Sequence, residues 1–168
     1  RALRLKQDET EFIDTGAREL CIVVLAGKVS VQVGGQAFSN LGTRAHVFDD
    51  GVPDAVYVPS NQQVTIRATS DAEVALCSAP CDTAPRQVKR LDPASMRRSK
   101  RGQGSNTRFI CDVLPHDDPS AAHLLVVEVR TPAGHSSSYP PHKHDSETPP
   151  TETQLEETYY HRLNPPQG

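Results

Sequence analysis

The 168-residue sequence lacks any apolar run long enough to form a membrane-spanning helix. Its longest such run covers residues 20–26, whereas a bilayer-spanning helix needs roughly 20 apolar residues. The sequence also lacks an excess of positive charge, because 18 basic and 21 acidic residues leave a formal net charge of −3. Dedicated nucleic-acid binders are usually strongly basic. We therefore expect neither a membrane nor a nucleic acid as a partner, and a small molecule is the better candidate.

Cysteine is scarce, and its spacing does not form a complete metal motif. No signal-peptide pattern begins the chain, and nothing in the sequence requires the four cysteines to form disulfides. Cys77 and Cys81 have a C-x3-C spacing, but the second Cys/His pair of a closed zinc site is missing beside them. We interpret the cysteines as buried or loop thiols.

Short runs with strand character, separated by turn residues, predict an all-β fold. The runs cover residues 19–25, 28–33, 55–58, 63–68, 73–77, 107–114 and 124–129. Val29, Val31 and Val33 alternate with polar residues, as in a half-buried strand, and Gly34-Gly35 can supply the positive φ angles of a tight hairpin. No segment has helical spacing with convincing caps. A β-sandwich or barrel is therefore predicted.

The composition changes in the middle of the chain. Between residues 80 and 104, proline, glycine and seven basic residues replace the strand pattern. Solvated loop charge is the simpler interpretation of the basic run, and a phosphate site is the alternative. The predicted organisation is a β domain over residues 1–84, a linker over 85–106, and the first part of a second β domain over 107–168.

The chemistry-bearing residues are concentrated after Tyr139. His142 and His144 are two positions apart, so on an extended strand both imidazoles would project from one face. Imidazole nitrogens bind zinc, manganese, iron, nickel or copper, and a nearby carboxylate would supply an anionic ligand. The alternative is a surface strand or polar loop that carries two histidines without a metal.

A second group of polar residues begins at Glu157. If this run is extended, alternation places Glu157, Tyr159 and His161 on one face and Glu156 on the other. A carboxylate, a phenol and an imidazole would then meet on one face. Four further histidines have no motif of their own and are expected at surface or loop positions: His46, His116, His123 and His135.

These residues resemble a known family. Gly134, His142, His144 and Glu157 match the cupin pattern of a glycine, His-x-His and a glutamate that leads into a strand. More specifically, SSYPPHKHD at 137–145, LEETYYHR at 155–162 and NPPQG at 164–168 are similar to the 5-deoxy-glucuronate isomerase family of bacterial myo-inositol catabolism. The resemblance extends to CIVVLAGKV at 21–29, AVYVP at 55–59 and CSAP at 77–80.

The resemblance implies a bicupin, with cupin-type β-sandwich or barrel domains. The N-terminal domain would be degenerate and bind no metal, and the second barrel would be incomplete in this chain. A divalent metal, zinc or manganese, would be held by His142, His144 and Glu157, with Glu156 as the competing carboxylate. The family's fourth ligand is a histidine on a later strand, so this chain would bind metal weakly and show little or no activity.

The resemblance also implies a reaction, the conversion of 5-deoxy-D-glucuronate to 2-deoxy-5-keto-D-gluconate by a cytoplasmic homo-oligomer. Tyr159, His161 and Glu156 are the candidates for proton transfer. Arg108 and Arg130 are the candidates for binding the carboxylate of this small acidic sugar, and an ordinary exposed arginine is the alternative for each. A cupin that binds sugar or metal without turnover, and a metal-dependent cupin oxygenase, are the rival functions.

Overall fold

The computed structural model describes residues 1–81, 86–137 and 143–165. The strands in these ranges are β1 Ala2–Leu5, β2 Thr10–Asp14, β3 Arg18–Ala26, β4 Val29–Val33, β5 Gln36–Leu41, β6 Asp54–Val58, β7 Gln63–Ala68, β8 Ala72–Pro80, β9 Lys89–Leu91, β10 Arg97–Arg101, β11 Arg108–Leu114 and β12 Val126–Arg130. Two single 3-10 turns accompany them, at Pro93–Ser95 and Gly104–Asn106. The described ranges contain no α-helix, and therefore no helix that could cross a membrane. The predicted all-β class is confirmed.

The first nine strands form two antiparallel sheets. Sheet A has the order β1-β8-β3-β6-β9, and sheet B has the order β2-β7-β4-β5. The β4–β5 hairpin turns at Gly34 and Gly35, whose φ angles are 57° and 76°, and Val33 pairs with Gln36 across the turn. Positive φ at both central positions is the type I′ geometry that a two-residue hairpin favours. The Gly-Gly turn predicted from the sequence is confirmed.

The first hydrophobic core combines alternate residues of both sheets. Val29, Val31 and Val33 of β4 are buried in it together with Ile22 and Val24 of β3. Each fully buried aliphatic side chain of this kind contributes about 1.5–3 kcal/mol to folding. Two sheets that share one apolar core form the predicted β-sandwich, and the arrangement fits a cupin domain.

A second core lies on the other face of sheet A. It buries Cys21, Val23 and Leu25 of β3 with Tyr57 of β6 and Cys111 of β11. Because β3 is buried on both faces, residues 20–26 form a continuous apolar run rather than an alternating one. No disulfide joins the cysteines among the described residues, and Cys77 is half-buried while Cys81 is buried.

The chain divides into two compact units. Unit 1 comprises residues 1–97 and 111–128, and unit 2 comprises residues 98–110 and 129–168. Strands β10, β11 and β12 form a three-stranded sheet in that order, and the chain passes from one unit to the other within them. Both hydrophobic cores belong to unit 1. Among the described residues of unit 2, Ile110 is the only buried hydrophobic side chain.

Five strands were not predicted: β1, β2, β5, β9 and β10. Two of them, β9 and β10, lie in the basic stretch that was interpreted as a connector. All five residues of β10 are exposed, and only Leu91 of β9 is buried. Apolar alternation is the main sequence signal of a strand, so a strand with an exposed polar surface gives almost no pattern.

A buried carboxylate joins a loop to β3 within unit 1. Glu19 has no exposed surface, and its carboxylate accepts hydrogen bonds from the N–H groups of Ala122, His123 and Leu124 at 2.6–2.8 Å and from the Tyr57 hydroxyl at 2.8 Å. Burial alone would raise the pKa of the Glu19 carboxyl, but these donors outweigh burial and lower it below its ordinary value. The charged carboxylate therefore anchors the chain just before β12.

A buried ion pair anchors β12 itself. The Arg44 side chain has no exposed surface and contacts both carboxylate oxygens of Glu128, while its Nε donates to the Leu25 carbonyl at 2.7 Å. A bidentate pair of this kind fixes the relative orientation of the two side chains and also pairs their charges. Breaking such a pair leaves an uncompensated buried charge, which is strongly destabilising.

Candidate active site

His144 lies at a turn rather than on an extended strand. Its φ angle is 76°, a left-handed conformation, and its carbonyl accepts a hydrogen bond from Leu155 N–H at 3.1 Å. The expectation of an extended backbone through His144 is therefore wrong, because the chain turns here into the twelve residues that precede Glu157. We call these twelve residues, 145–156, the insertion, because the general cupin pattern has only three or four residues between its second histidine and its glutamate. His142 lies outside the described residues, as do the residues at 139–141.

The side chain of His144 is held by one specific contact. Its Nδ1 lies 2.9 Å from the carbonyl oxygen of Thr153. A carbonyl oxygen can only accept a hydrogen bond, so this contact requires the imidazole proton on Nδ1. In the neutral imidazole the other ring nitrogen, Nε2, then carries the lone pair, and none of the described residues bonds to it. A neutral imidazole with a free Nε2 lone pair is the usual form of a metal ligand.

Glu152 organises the backbone around His144. Its Oε1 accepts from the His144 N–H at 2.6 Å, and its Oε2 accepts from the Lys143 ammonium at 3.3 Å. Lys143 also donates to the Thr151 carbonyl at 3.0 Å. The hydrogen bond from His144 and the nearby Lys143 charge lower the pKa of the Glu152 carboxyl below its ordinary value. Glu152 is therefore an ionised acceptor at neutral pH.

Tyr159 contacts both Glu157 and His161, as alternation predicts. The Tyr159 hydroxyl donates to Oε2 of Glu157 at 2.9 Å, and the Tyr159 and His161 rings stack with a centroid distance of 5.9 Å and an angle of 6°. The hydrogen bond to Glu157 raises the pKa of the Tyr159 phenol. The three residues are exposed, and residues 153–163 pair with no strand among the described residues. The contacts arise from local alternation alone.

The other predicted site residues lie elsewhere in the described structure. Glu156 is exposed within the insertion. Arg108, at the start of β11, is half-buried rather than exposed; its Nη1 donates to the Asn106 carbonyl at 3.1 Å, and its buried Nε has no partner among the described residues. Arg130 is half-buried at the end of β12. No hydrogen bond found between described residues joins Arg108 to His144 or Glu157.

The four histidines expected at surface or loop positions do lie outside the strands. His46, His116 and His123 are exposed. His135 is half-buried, and its Nδ1 lies 2.9 Å from the Thr107 carbonyl within unit 2. That contact gives His135 a structural role, because it connects the turn at Gly134 to the start of β11.

Two of the three proposed metal ligands lie among the described residues, and each offers a donor atom of a type that divalent metals bind. His144 offers Nε2, and Glu157 offers Oε1, since its hydrogen bond to Tyr159 uses only Oε2. Nitrogen and carboxylate donors suit zinc and manganese. The third proposed ligand, His142, falls outside the described residues, which by themselves contain no group of three or more metal-binding side chains. The sequence had indicated each of these donors but not the contacts made by Thr153 and Glu152.

Comparison with known proteins identifies the family. The model of the KduI/IolB family matches residues 1–168, the whole chain. The chain belongs to the KduI/IolB family. A 5-deoxy-glucuronate isomerase from Halalkalibacterium halodurans is 46% identical over 169 residues, covering 100% of this chain and 62% of that relative. A relative of the same name from Bacillus subtilis is 46% identical over 152 residues, covering 90% of this chain and 55% of its own length.

A solved structure of the same family has the same fold. The crystal structure of an IolB-like protein from Salmonella typhimurium superposes with a TM-score of 0.93 at 40% sequence identity. The match covers 99% of this chain and 63% of that one. This KduI/IolB chain therefore spans about 55–63% of the length of these three relatives.

Proposed function

We propose that this chain contributes the first metal-binding residues of a 5-deoxy-glucuronate isomerase. The observation that carries the proposal is its 46% identity, over the whole chain, to a curated protein of that name. The chain covers 62% of that relative, so the reaction is proposed for the whole protein and not for these 168 residues alone. A homo-oligomer in the cytoplasm is part of the same proposal.

The proposed reaction converts an aldose into a ketose without net oxidation. A proton leaves the carbon next to the aldehyde and is returned to the former carbonyl carbon, while a second proton moves from the hydroxyl to the aldehyde oxygen. When bound, a zinc or manganese ion would stabilise the negative charge that develops on the substrate oxygens. His142, His144 and Glu157 are the residues proposed to hold it.

The contacts at Tyr159 support a ranking of the three candidates for proton transfer. The Tyr159 hydroxyl gives its hydrogen bond to Glu157, and its pKa is raised, so the phenol keeps its proton at neutral pH. Tyr159 is therefore better suited to orient Glu157 than to act as a base. His161 stacks on Tyr159, and imidazole is the most common general base in enzymes. We favour His161 as the proton carrier over Glu156.

The proposed substrate carries a carboxylate that needs a cationic partner. Half-buried Arg108 has a buried Nε without a partner among the described residues, and a guanidinium is suited to bidentate carboxylate binding. This observation supports Arg108 as the first candidate, and Arg130 remains the second.

The test follows the conversion of 5-deoxy-glucuronate by proton NMR. It compares two samples, the 168-residue chain alone and a protein of the relatives' full length that contains this chain. Metal-loaded full-length protein should produce the ketose without oxygen, while His142→Ala and Glu157→Gln should lose metal and activity together. The 168-residue chain should show weak metal binding and little turnover. Unchanged substrate with the full-length protein would favour a binding cupin, and oxygen consumption would favour an oxygenase; either result would refute the isomerase.

A further inference from the structure

The insertion engages three of the four polar groups of His144. Glu152 accepts from its N–H at 2.6 Å, Leu155 donates to its carbonyl at 3.1 Å, and the Thr153 carbonyl binds its Nδ1 at 2.9 Å. All three partners belong to residues 145–156. The fourth polar group, Nε2, has no partner among the described residues.

The insertion is itself held together by hydrogen bonds. Thr148 and Glu152 exchange backbone hydrogen bonds at 2.9 Å and 3.1 Å, and Gln154 N–H donates to Glu147 at 2.7 Å. The Thr151 carbonyl accepts from Lys143 at 3.0 Å. These contacts order a segment that has little apolar burial to stabilise it. A loop that merely connected His144 to Glu157 would not need to satisfy the backbone and the ring of one histidine.

We propose that the insertion is a positioning scaffold that fixes the tautomer of His144 and directs its Nε2 at the metal. Glu152 is its central positioning residue, because its carboxylate holds the His144 backbone in the left-handed turn that brings Nδ1 to Thr153. The metal part of this proposal rests on the proposed function, but the tautomer does not. Hydrogen bonds to the distal nitrogen of a metal-binding histidine typically change metal affinity 10–100-fold.

The first experiment measures the tautomer without metal. In metal-free, 15N-histidine-labelled chain at about pH 8, where unperturbed imidazoles are neutral, His144→Gln assigns the His144 signals among the seven histidines. The proton should be on Nδ1. A solvated imidazole prefers the proton on Nε2, so the two states are distinguishable. Finding the His144 proton on Nε2 would overturn the proposal, whatever the metal does.

The second experiment uses Glu152→Ala, with Glu152→Gln as the rescuing variant and Glu147→Gln as the matched control. Glu147 lies in the same insertion and accepts a backbone N–H, but it touches Gln154 rather than His144. Glu152→Ala should shift the His144 proton toward Nε2, and Glu152→Gln should retain most of the native tautomer. Glu147→Gln should leave the tautomer unchanged.

The same variants separate this proposal from the proposed function. By calorimetry with zinc or manganese alone, Glu152→Ala should weaken binding about tenfold, and Glu147→Gln less than about twofold. If the tautomer depends on Glu152 but neither ion binds, the scaffold is supported and the proposed metal centre fails. If Glu152→Ala changes neither tautomer nor affinity, while the strand amide signals of unit 1 show a folded chain, the scaffold is refuted.

Discussion

Unit 1 and unit 2 are stabilised by different kinds of interaction. Unit 1 contains two hydrophobic cores, and its buried charges at Glu19 and Arg44 are fully engaged by hydrogen bonds. Unit 2 buries one hydrophobic side chain among its described residues, Ile110, and exposes Tyr159 and Leu163 by 63% and 52%. Its order around His144 comes from polar contacts. Apolar burial therefore specifies one unit, and local hydrogen bonding specifies the candidate site in the other.

This difference has a consequence for function. The strongly apolar unit carries none of the proposed metal ligands, whereas the polar unit carries His144 and Glu157. Polar contacts between residues close in sequence can orient a ligand without a large core, but each is worth only about 0.5–1.5 kcal/mol. The candidate site should therefore be easier to perturb locally than unit 1, and its changes should affect global stability less.

The largest expected effect is a loss of stability on truncating a core side chain of unit 1, compared with the same truncation at an exposed position of unit 2. Ile22→Ala removes a fully buried side chain from the first core and should lower the free energy of unfolding by about 2–5 kcal/mol. Leu163→Ala, at an exposed position in unit 2, should cost less than about 0.5 kcal/mol. Urea unfolding of both variants checks the comparison. Similar losses at the two positions would contradict it.

The next effect concerns the buried carboxylate of unit 1. Glu19→Gln should destabilise the chain by roughly 2–3 kcal/mol, because a neutral amide cannot accept all four of the hydrogen bonds that Glu19 accepts. Tyr57→Phe, which removes only one donor, is the matched control and should cost about 1 kcal/mol. Chemical denaturation measures both. A larger loss for Tyr57→Phe would show that the phenol, rather than the carboxylate, anchors the loop.

A pH series sharpens the same point. The pKa of Glu19 is lowered in the folded state, so its contribution is fully present above its ordinary pKa of 4.5 and is lost as pH falls through the lower folded value. The stability difference between the native chain and Glu19→Gln should be constant near neutral pH. Below pH 4.5 it should shrink by up to about 1.4 kcal/mol per pH unit. A stability difference that grows as the pH falls would contradict the lowered pKa assigned to Glu19.

The smallest expected effect lies in unit 2. Tyr159→Phe removes the hydroxyl that donates to Glu157. Because both groups are exposed, the free energy of unfolding should change by less than about 0.5 kcal/mol. The side-chain carboxyl carbon of Glu157 should change its chemical shift in a carbon-detected NMR spectrum, since the carboxylate has lost a hydrogen bond. His161→Ala, which leaves that bond in place, is the control. A loss of several kcal/mol would mean that unit 2 has a core that the described residues do not show.

The sequence by itself determined the features that depend on neighbouring residues. Strand periodicity predicted β4 and its Gly-Gly turn, and alternation predicted that Glu157, Tyr159 and His161 share a face, because side chains two apart on an extended chain point the same way. The donor types at His144 and Glu157, with the surrounding motifs, were enough to indicate the family. The exposed strand β10 was missed because it offers no apolar pattern.

Only the tertiary structure decided which distant groups meet. Glu19 bonds to backbone N–H groups more than 100 residues away, and Arg44 pairs with Glu128 across 84 positions, so neither contact can be inferred from local spacing. At the candidate site, the folded insertion brings the Thr153 carbonyl and the Glu152 carboxylate to His144. A backbone carbonyl has no signature in the sequence, since every residue carries one, and only the path of the chain determines which imidazole nitrogen donates to it.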